Sequence, residues 1–293
     1  MAFLAQQILW SALLPALLAL VVLMAVNWRT WRVAEVSLHW GTPAALAAGY
    51  LFAHWRIIGL PLAFPPNDST EWLFVVAVAT ALWGIVEQFA GGRFLLRDAG
   101  RLVFTAAFAW LVLRPLMANL WQGSVGYLWW GGLTLGWWLW WSFQARLAAR
   151  IPGLLVPLVL SAVAGGGGFV LLWSNSSSLS QLSGAVSAVA GALVPVLLWR
   201  RDTTVGAGSV AFVAGVLGLI WLNAIAFVPV PVGRIVGLAI ASLTPVLALL
   251  PTLKRRGWWV VVAVCFLVTA LILISIMLPT YWAYVASAQT YGY

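Results

Sequence analysis

Four ionisable side chains, His54, Arg56, Glu87 and Arg114, fall inside long apolar stretches of this sequence. Each is costly to place in hydrocarbon and needs a partner or water, so together they are the first candidates for function. Counted at about 1.5 Å per residue from the nearest basic clusters, Arg56 and Arg114 reach a similar depth in the half of the membrane remote from those clusters. Two planar guanidiniums at one level, with His54 close by in sequence, can hold a phosphate or carboxylate through paired hydrogen bonds. That arrangement would bind an anionic small molecule or a lipid headgroup. The alternative is that both arginines snorkel outward or pair with Asp68 and Glu71 in the adjoining loop. Glu87 is the one acid well inside an apolar segment. It is read either as a proton-coupling carboxylate or as an interfacial partner of Arg93 or Arg97.

Other chemistries find no support. His39 and His54 are separated by about 22 Å along one helix, too far to share a haem within one chain. No Cys/His/carboxylate cluster offers a metal site, and no Ser-His-Asp set gathers on one side of a membrane. The sequence therefore assigns no catalytic residue, no metal and no cofactor, and an enzyme is not expected. Cys265 is the single cysteine, which excludes an intrachain disulfide and reads as a packed core thiol. The run Gly165–Gly168 lies in apolar sequence without the Lys and Ser/Thr of a phosphate loop, so it reads as a packing element or a flexible break.

The elements that must position these groups follow from composition. Of 293 residues, 64% are hydrophobic and 7% charged, whereas a soluble domain has about a quarter charged. Fifteen Lys and Arg and six acids cannot solvate such a surface. The chain is read as an all-α, polytopic transmembrane bundle, a single integral membrane domain over residues 1–293. A net charge of +9 does not indicate nucleic acid here, because the basic residues cluster between apolar runs.

Cutting at polar, Gly/Pro and Arg clusters gives ten segments of bilayer length. They are Phe3–Val26, Thr42–Ala63, Trp72–Ala90, Leu102–Trp121, Val125–Ala145, Leu154–Trp173, Leu182–Trp199, Ser209–Val228, Gly233–Leu250 and Trp258–Trp282. The first lacks a basic leader and is expected to be retained. Alternate connections hold Arg29 and Arg32; Arg93, Arg97 and Arg101; Arg146 and Arg150; Arg200 and Arg201; and Lys254, Arg255 and Arg256, which is 12 of the 15 basic residues. The positive-inside rule places that side in the cytoplasm and both termini outside, and it suggests a bacterial cytoplasmic membrane. Two five-segment halves divided near residues 146–153 would have opposite orientations, although sequence similarity between them is not evident.

Tryptophan is abundant, with 21 residues. Trp28, Trp31, Trp40, Trp72, Trp121, Trp173, Trp199, Trp258, Trp259 and Trp282 fall at segment ends and read as interfacial anchors. In the fifth segment Trp129, Trp130, Trp137, Trp138, Trp140 and Trp141 accompany Gly131, Gly132 and Gly136. Their expected arrangement is bulky rings toward lipid and a small-residue face toward a neighbouring helix, a pigment or lipid groove being the alternative. Gly132/Gly136 and Gly233/Gly237 have the spacing for close helix approach. In the loop Pro65–Trp72, Asp68 or Ser69 is expected to cap the third segment. Two functions fit these readings. One is a small-molecule or lipid-linked anion transporter with Arg56 and Arg114 at its site and Glu87 as coupling acid. The other is a noncatalytic scaffold or subunit that meets membrane partners, or a second copy of itself, through its Gly and Trp faces.

Overall fold

A computed structural model describes residues 8–27, 41–61, 63–66, 68–90, 93–151, 153–199, 206–228 and 230–290, with backbone only at 288–290. His39, Arg29, Arg32, Arg200, Arg201, Trp28, Trp31 and Trp40 lie outside the described residues. The described chain is helical throughout, and no strand occurs in it. A π-helical turn, Leu9–Leu13, leads into α1 (Leu14–Asn27). There follow α2 (Gly41–Ile57), α3 (Trp72–Phe89), α4 (Phe94–Asn119), α5 (Ser124–Arg150), α6 (Leu155–Trp173), α7 (Ser177–Gly191) and α8 (Leu193–Trp199). The last elements are α9 (Ala207–Phe227), α10 (Val232–Ser242), a 3-10 turn (Thr244–Leu249), α11 (Pro251–Lys254) and α12 (Trp258–Thr290).

Each of the ten apolar segments contains helix among the described residues; the seventh and ninth are interrupted near a proline, whereas Pro115 and Pro279 lie inside unbroken helices. Pro195 cannot donate to the Gly191 carbonyl, and the seventh segment divides between α7 and α8 at Ala192. Pro245 cannot donate to Ala241, and α10 stops at Ser242 in favour of the 3-10 turn. By length and hydropathy, eight of the described helical stretches can cross a membrane. The short α2 and the Trp- and Gly-rich α5 are not among the eight. The protein is thus a multi-pass helical membrane protein.

The bundle is organised around α9. Every residue from Gly208 to Ala224 is buried, as a helix that is apolar all round requires. Its neighbours include α2, α3, α4, α5 and α7. Three glycines make this crowding possible. A Cβ on Gly208 would collide with the Gly84 backbone of α3, one on Gly215 with Thr80, and one on Gly218 with the Trp137 indole. Beside α9, α6 and α7 form a tight hairpin joined by a reciprocal pair of serines. Ser161 Oγ donates to the Ser187 carbonyl and Ser187 Oγ to the Ser161 carbonyl, each at 2.8 Å. The tetraglycine belongs to this contact and does not break α6. Cβ atoms there would meet Ser187, Leu273, Leu238 or the Ser180 carbonyl at 3.0–3.4 Å. Cys265 is fully buried in α12.

The structure corrects two local expectations. The third segment is not capped by Asp68 or Ser69: α3 begins after Glu71, which makes no side-chain cap. Asp68 instead closes the preceding turn, accepting from the Thr70 amide at 2.8 Å and Thr70 Oγ1 at 3.0 Å. Its short side chain satisfies those nearer donors first. Trp72 is no interfacial anchor either, since it is buried against Phe64 and Phe108.

The α3/α9 crossing yields a direct prediction. Gly84→Val puts a methine carbon only 2.6 Å from the Gly208 carbonyl oxygen. Overpacking of this kind costs about 1–3 kcal/mol. Thermal unfolding in detergent is expected to show a lowered midpoint for Gly84→Val and none for Gly132→Ala, whose Cβ meets nothing within 4 Å.

Candidate functional site

Glu87 lies in the last turn of α3, and its partner comes from α4. Arg101 donates Nε to Glu87 Oε1 at 2.6 Å and Nη2 to Oε2 at 2.9 Å, the two-pronged geometry that suits a guanidinium and a carboxylate. Arg101 Nη1 reaches Asp98 Oδ1 at 2.9 Å. Asp98 also accepts Ser142 Oγ at 3.1 Å and, on Oδ2, Arg146 Nη2 at 2.8 Å, both from α5. Two indoles complete the cluster: Trp83 Nε1 donates to Glu87 Oε1 at 2.7 Å, and Trp138 Nε1 to the Asp98 carbonyl at 2.9 Å. Glu87 is 1%, Arg101 3% and Asp98 7% exposed. Only Arg146 emerges, its guanidinium lying 4.6 Å from the centre of the Phe94 ring.

Helical spacing builds the cluster. Trp83 and Glu87 are four apart, Asp98 and Arg101 three apart, and Trp138, Ser142 and Arg146 repeat every four, so each helix contributes one face. Gly100 leaves room for the Trp83 ring, which a Cβ at that position would overlap. Two carboxylates and two guanidiniums balance in charge. In a low-dielectric interior such a set persists only when its hydrogen bonds are met, as nearly all are here.

Of the two readings of Glu87, a coupling acid or a partner of Arg93 or Arg97, the second named the wrong arginines: the carboxylate pairs with Arg101. The reason is the start of α4. The fourth segment was expected from Leu102, whereas the helix begins at Phe94, two turns earlier. That winds Asp98 and Arg101 into the bundle and turns Arg93 outward. Arg97 Nε is buried with no hydrogen-bond partner. Sequence reading missed Asp98 and Arg101. Their signal was available in the i,i+3 opposite charges immediately before an apolar run.

The other candidates lie at the far end of the bundle from this cluster. Arg56, in the last turn of α2, is exposed, with its guanidinium 4.2 Å from the centre of the Trp10 ring. Arg114 is exposed on α4 beside Pro115. No contact among the described residues joins the two arginines. His54 is fully buried, its Nε2 3.2 Å from the Thr70 carbonyl and its ring against Phe74. It thereby ties α2 to the loop before α3. Among the described residues no group of three His, Cys, Asp or Glu is placed to hold a metal.

The Trp/Gly face of α5 is the reverse of the expected arrangement. Trp137, Trp140 and Trp141 are buried, while Cβ atoms on Gly131, Gly132 and Gly136 would meet nothing within 4 Å. Indole N–H groups account for part of the inversion, since three of them gain a hydrogen bond by turning inward, whereas Trp141 Nε1 is buried without one. Trp130 donates to the Ala106 carbonyl at 3.0 Å, Trp137 to the Ala214 carbonyl at 3.0 Å, and Trp140 to Ser242 Oγ at 2.7 Å. Gly233 likewise packs on nothing, whereas a Cβ on its partner Gly237 would press on Ile276.

No protein-family model, curated protein or solved structure matches this chain.

Arg101→Leu strands Glu87 in the interior, and breaking a buried pair in this way costs about 3–5 kcal/mol. Replacing Glu87 by Leu as well is expected to recover most of that loss, because Arg146 still holds Asp98. Unfolding of the two single variants and the double variant in detergent measures the coupling. Additive losses would show that the pair does not interact.

Proposed function

We propose that this chain is a transporter for a small anionic or lipid-linked molecule. In this reading the substrate is met at the end carrying Arg56 and Arg114, and the carboxylate–arginine cluster closes the other end. The cluster is the observation that carries the reading. Three buried charged groups from two helices, joined at their edge by Arg146 of a third, are expensive to keep dry, and apolar side chains of similar volume often pack as stably. What such a cluster offers beyond stability is reversibility: its contacts are strong when dry and are exchanged for water when the helices separate. Glu87 is then the coupling acid, held by Arg101 while the helices are closed.

At the opposite end, Arg56 and Arg114 are exposed and form no ion pair among the described residues. Stacking on Trp10 leaves the N–H edges of Arg56 available to an anion. The helix pairing also fits two five-segment halves of opposite orientation. In the first half α1 packs on α2 and α4 on α5, and in the second α6 packs on α7 and α10 on α12. Across the division, α2 meets α7 and α3 meets α9, which are corresponding members. The arginine-rich end is assigned to the cytoplasm and the protein to a bacterial cytoplasmic membrane.

The test is native mass spectrometry of the intact protein released from nanodiscs of phosphatidylethanolamine and phosphatidylglycerol. A bound anionic lipid or metabolite is expected, with occupancy falling about tenfold in Arg56→Gln and in Arg114→Gln, the worth of one charge-assisted hydrogen bond. A stoichiometric partner protein with no bound anion would mark the chain instead as a noncatalytic subunit of a larger membrane complex.

A further inference from the structure

The inverted face of α5 leaves a trough. It is bounded by α5, α9 and α10, has a volume of about 500 Å³ and is open along one side. Its floor includes Trp137, Trp140, Trp221 and Ile235, all buried, and its rim includes Leu139, Phe143, Val236 and Ile240, all exposed. No charged side chain lines it. Trp137 and Trp140 point their N–H groups away into the protein, so their ring faces are what an occupant would meet. Gly132 and Gly136 create the room, since nothing fills the space beside them.

From this shape we infer that the trough is a binding site for a single hydrocarbon chain of a membrane lipid. Length and lining point to the occupant. Along α5 the trough extends from Trp129 to Phe143, about 21 Å at 1.5 Å per residue. That is about two-thirds of the hydrocarbon thickness of a bilayer. The enclosed volume of about 500 Å³, drawn out over that length and apolar along its walls, suits one extended lipid chain. An apolar wall facing a void forfeits dispersion contacts that a methylene chain restores. The headgroup has no polar partner inside the trough and stays at the membrane surface.

The site depends on membrane embedding and not on transport, so it can be tested separately from the function proposed above. The intact protein is placed in phosphatidylcholine nanodiscs containing phosphatidylcholine with a diazirine on its acyl chain. After illumination the adducts are mapped by tandem mass spectrometry. Adducts on the floor residues Trp140, Leu222 and Ile235 are expected to exceed those on the lipid-facing residues Leu267, Leu271 and Ile274 of α12. Gly136→Phe enters the trough from a Cβ position that meets nothing within 4 Å, and is expected to reduce floor labelling several-fold while leaving α12 labelling and the thermal midpoint unchanged. Gly132→Leu serves the same purpose if the Phe variant does not fold. Floor labelling no higher than on α12, or unaffected by filling the trough, would overturn the proposal. So would crosslinks joining two copies of the chain through these residues.

Discussion

The ion pair between Glu87 and Arg101 is the constraint on which the arginine-rich end of the bundle depends. A lone carboxylate at that position would be neutralised or hydrated. Paired through two hydrogen bonds, it ties α4 to α3, and Nη1 of Arg101 brings in Asp98. Asp98 then recruits Ser142 and Arg146, so that α5 returns to the same end. Three helices meet there because four charges must be satisfied together. The Trp83 and Trp138 indoles shield the group and spend their own N–H donors on it.

Apolar packing governs the remainder. Helix α9 has no solvent or lipid face along most of its length, and it packs through glycines and small side chains where a neighbour comes closest. The same economy operates at the α6/α7 hairpin, where reciprocal serine bonds consume polar groups that would otherwise be unsatisfied in hydrocarbon. Where glycine meets no neighbour, as on α5, it opens a trough. One residue type thus has two opposite effects, determined by what lies across from it.

This explains which features could be read from the sequence. Helical class and segment positions follow from hydropathy, because hydrocarbon permits few alternatives to a helix. Glu87 is identifiable as an acid in need of a partner, but the partner's identity depends on where α4 begins. Reading the arginines at 93, 97 and 101 as a loop moved Arg101 out of the bundle. The Trp/Gly face of α5 was inverted for a related reason. Spacing shows that a glycine stripe permits close approach, whereas only the neighbouring helices decide whether approach occurs. For Arg56 and Arg114 a linear sequence allows counting along each helix but says nothing of the neighbours around it.

The central claim is that Glu87 and Arg101 meet as a buried ion pair in the lipid-embedded protein. Solid-state NMR in phospholipid bilayers, with ¹⁵N in the arginine side chains and ¹³C in the glutamate carboxyls, tests it directly. A dipolar contact between Arg101 Nε and the Glu87 carboxyl carbon, assigned by its loss in Glu87→Gln, is the predicted result. A contact from that carboxyl to Arg93 or Arg97, or to no arginine, would contradict the account.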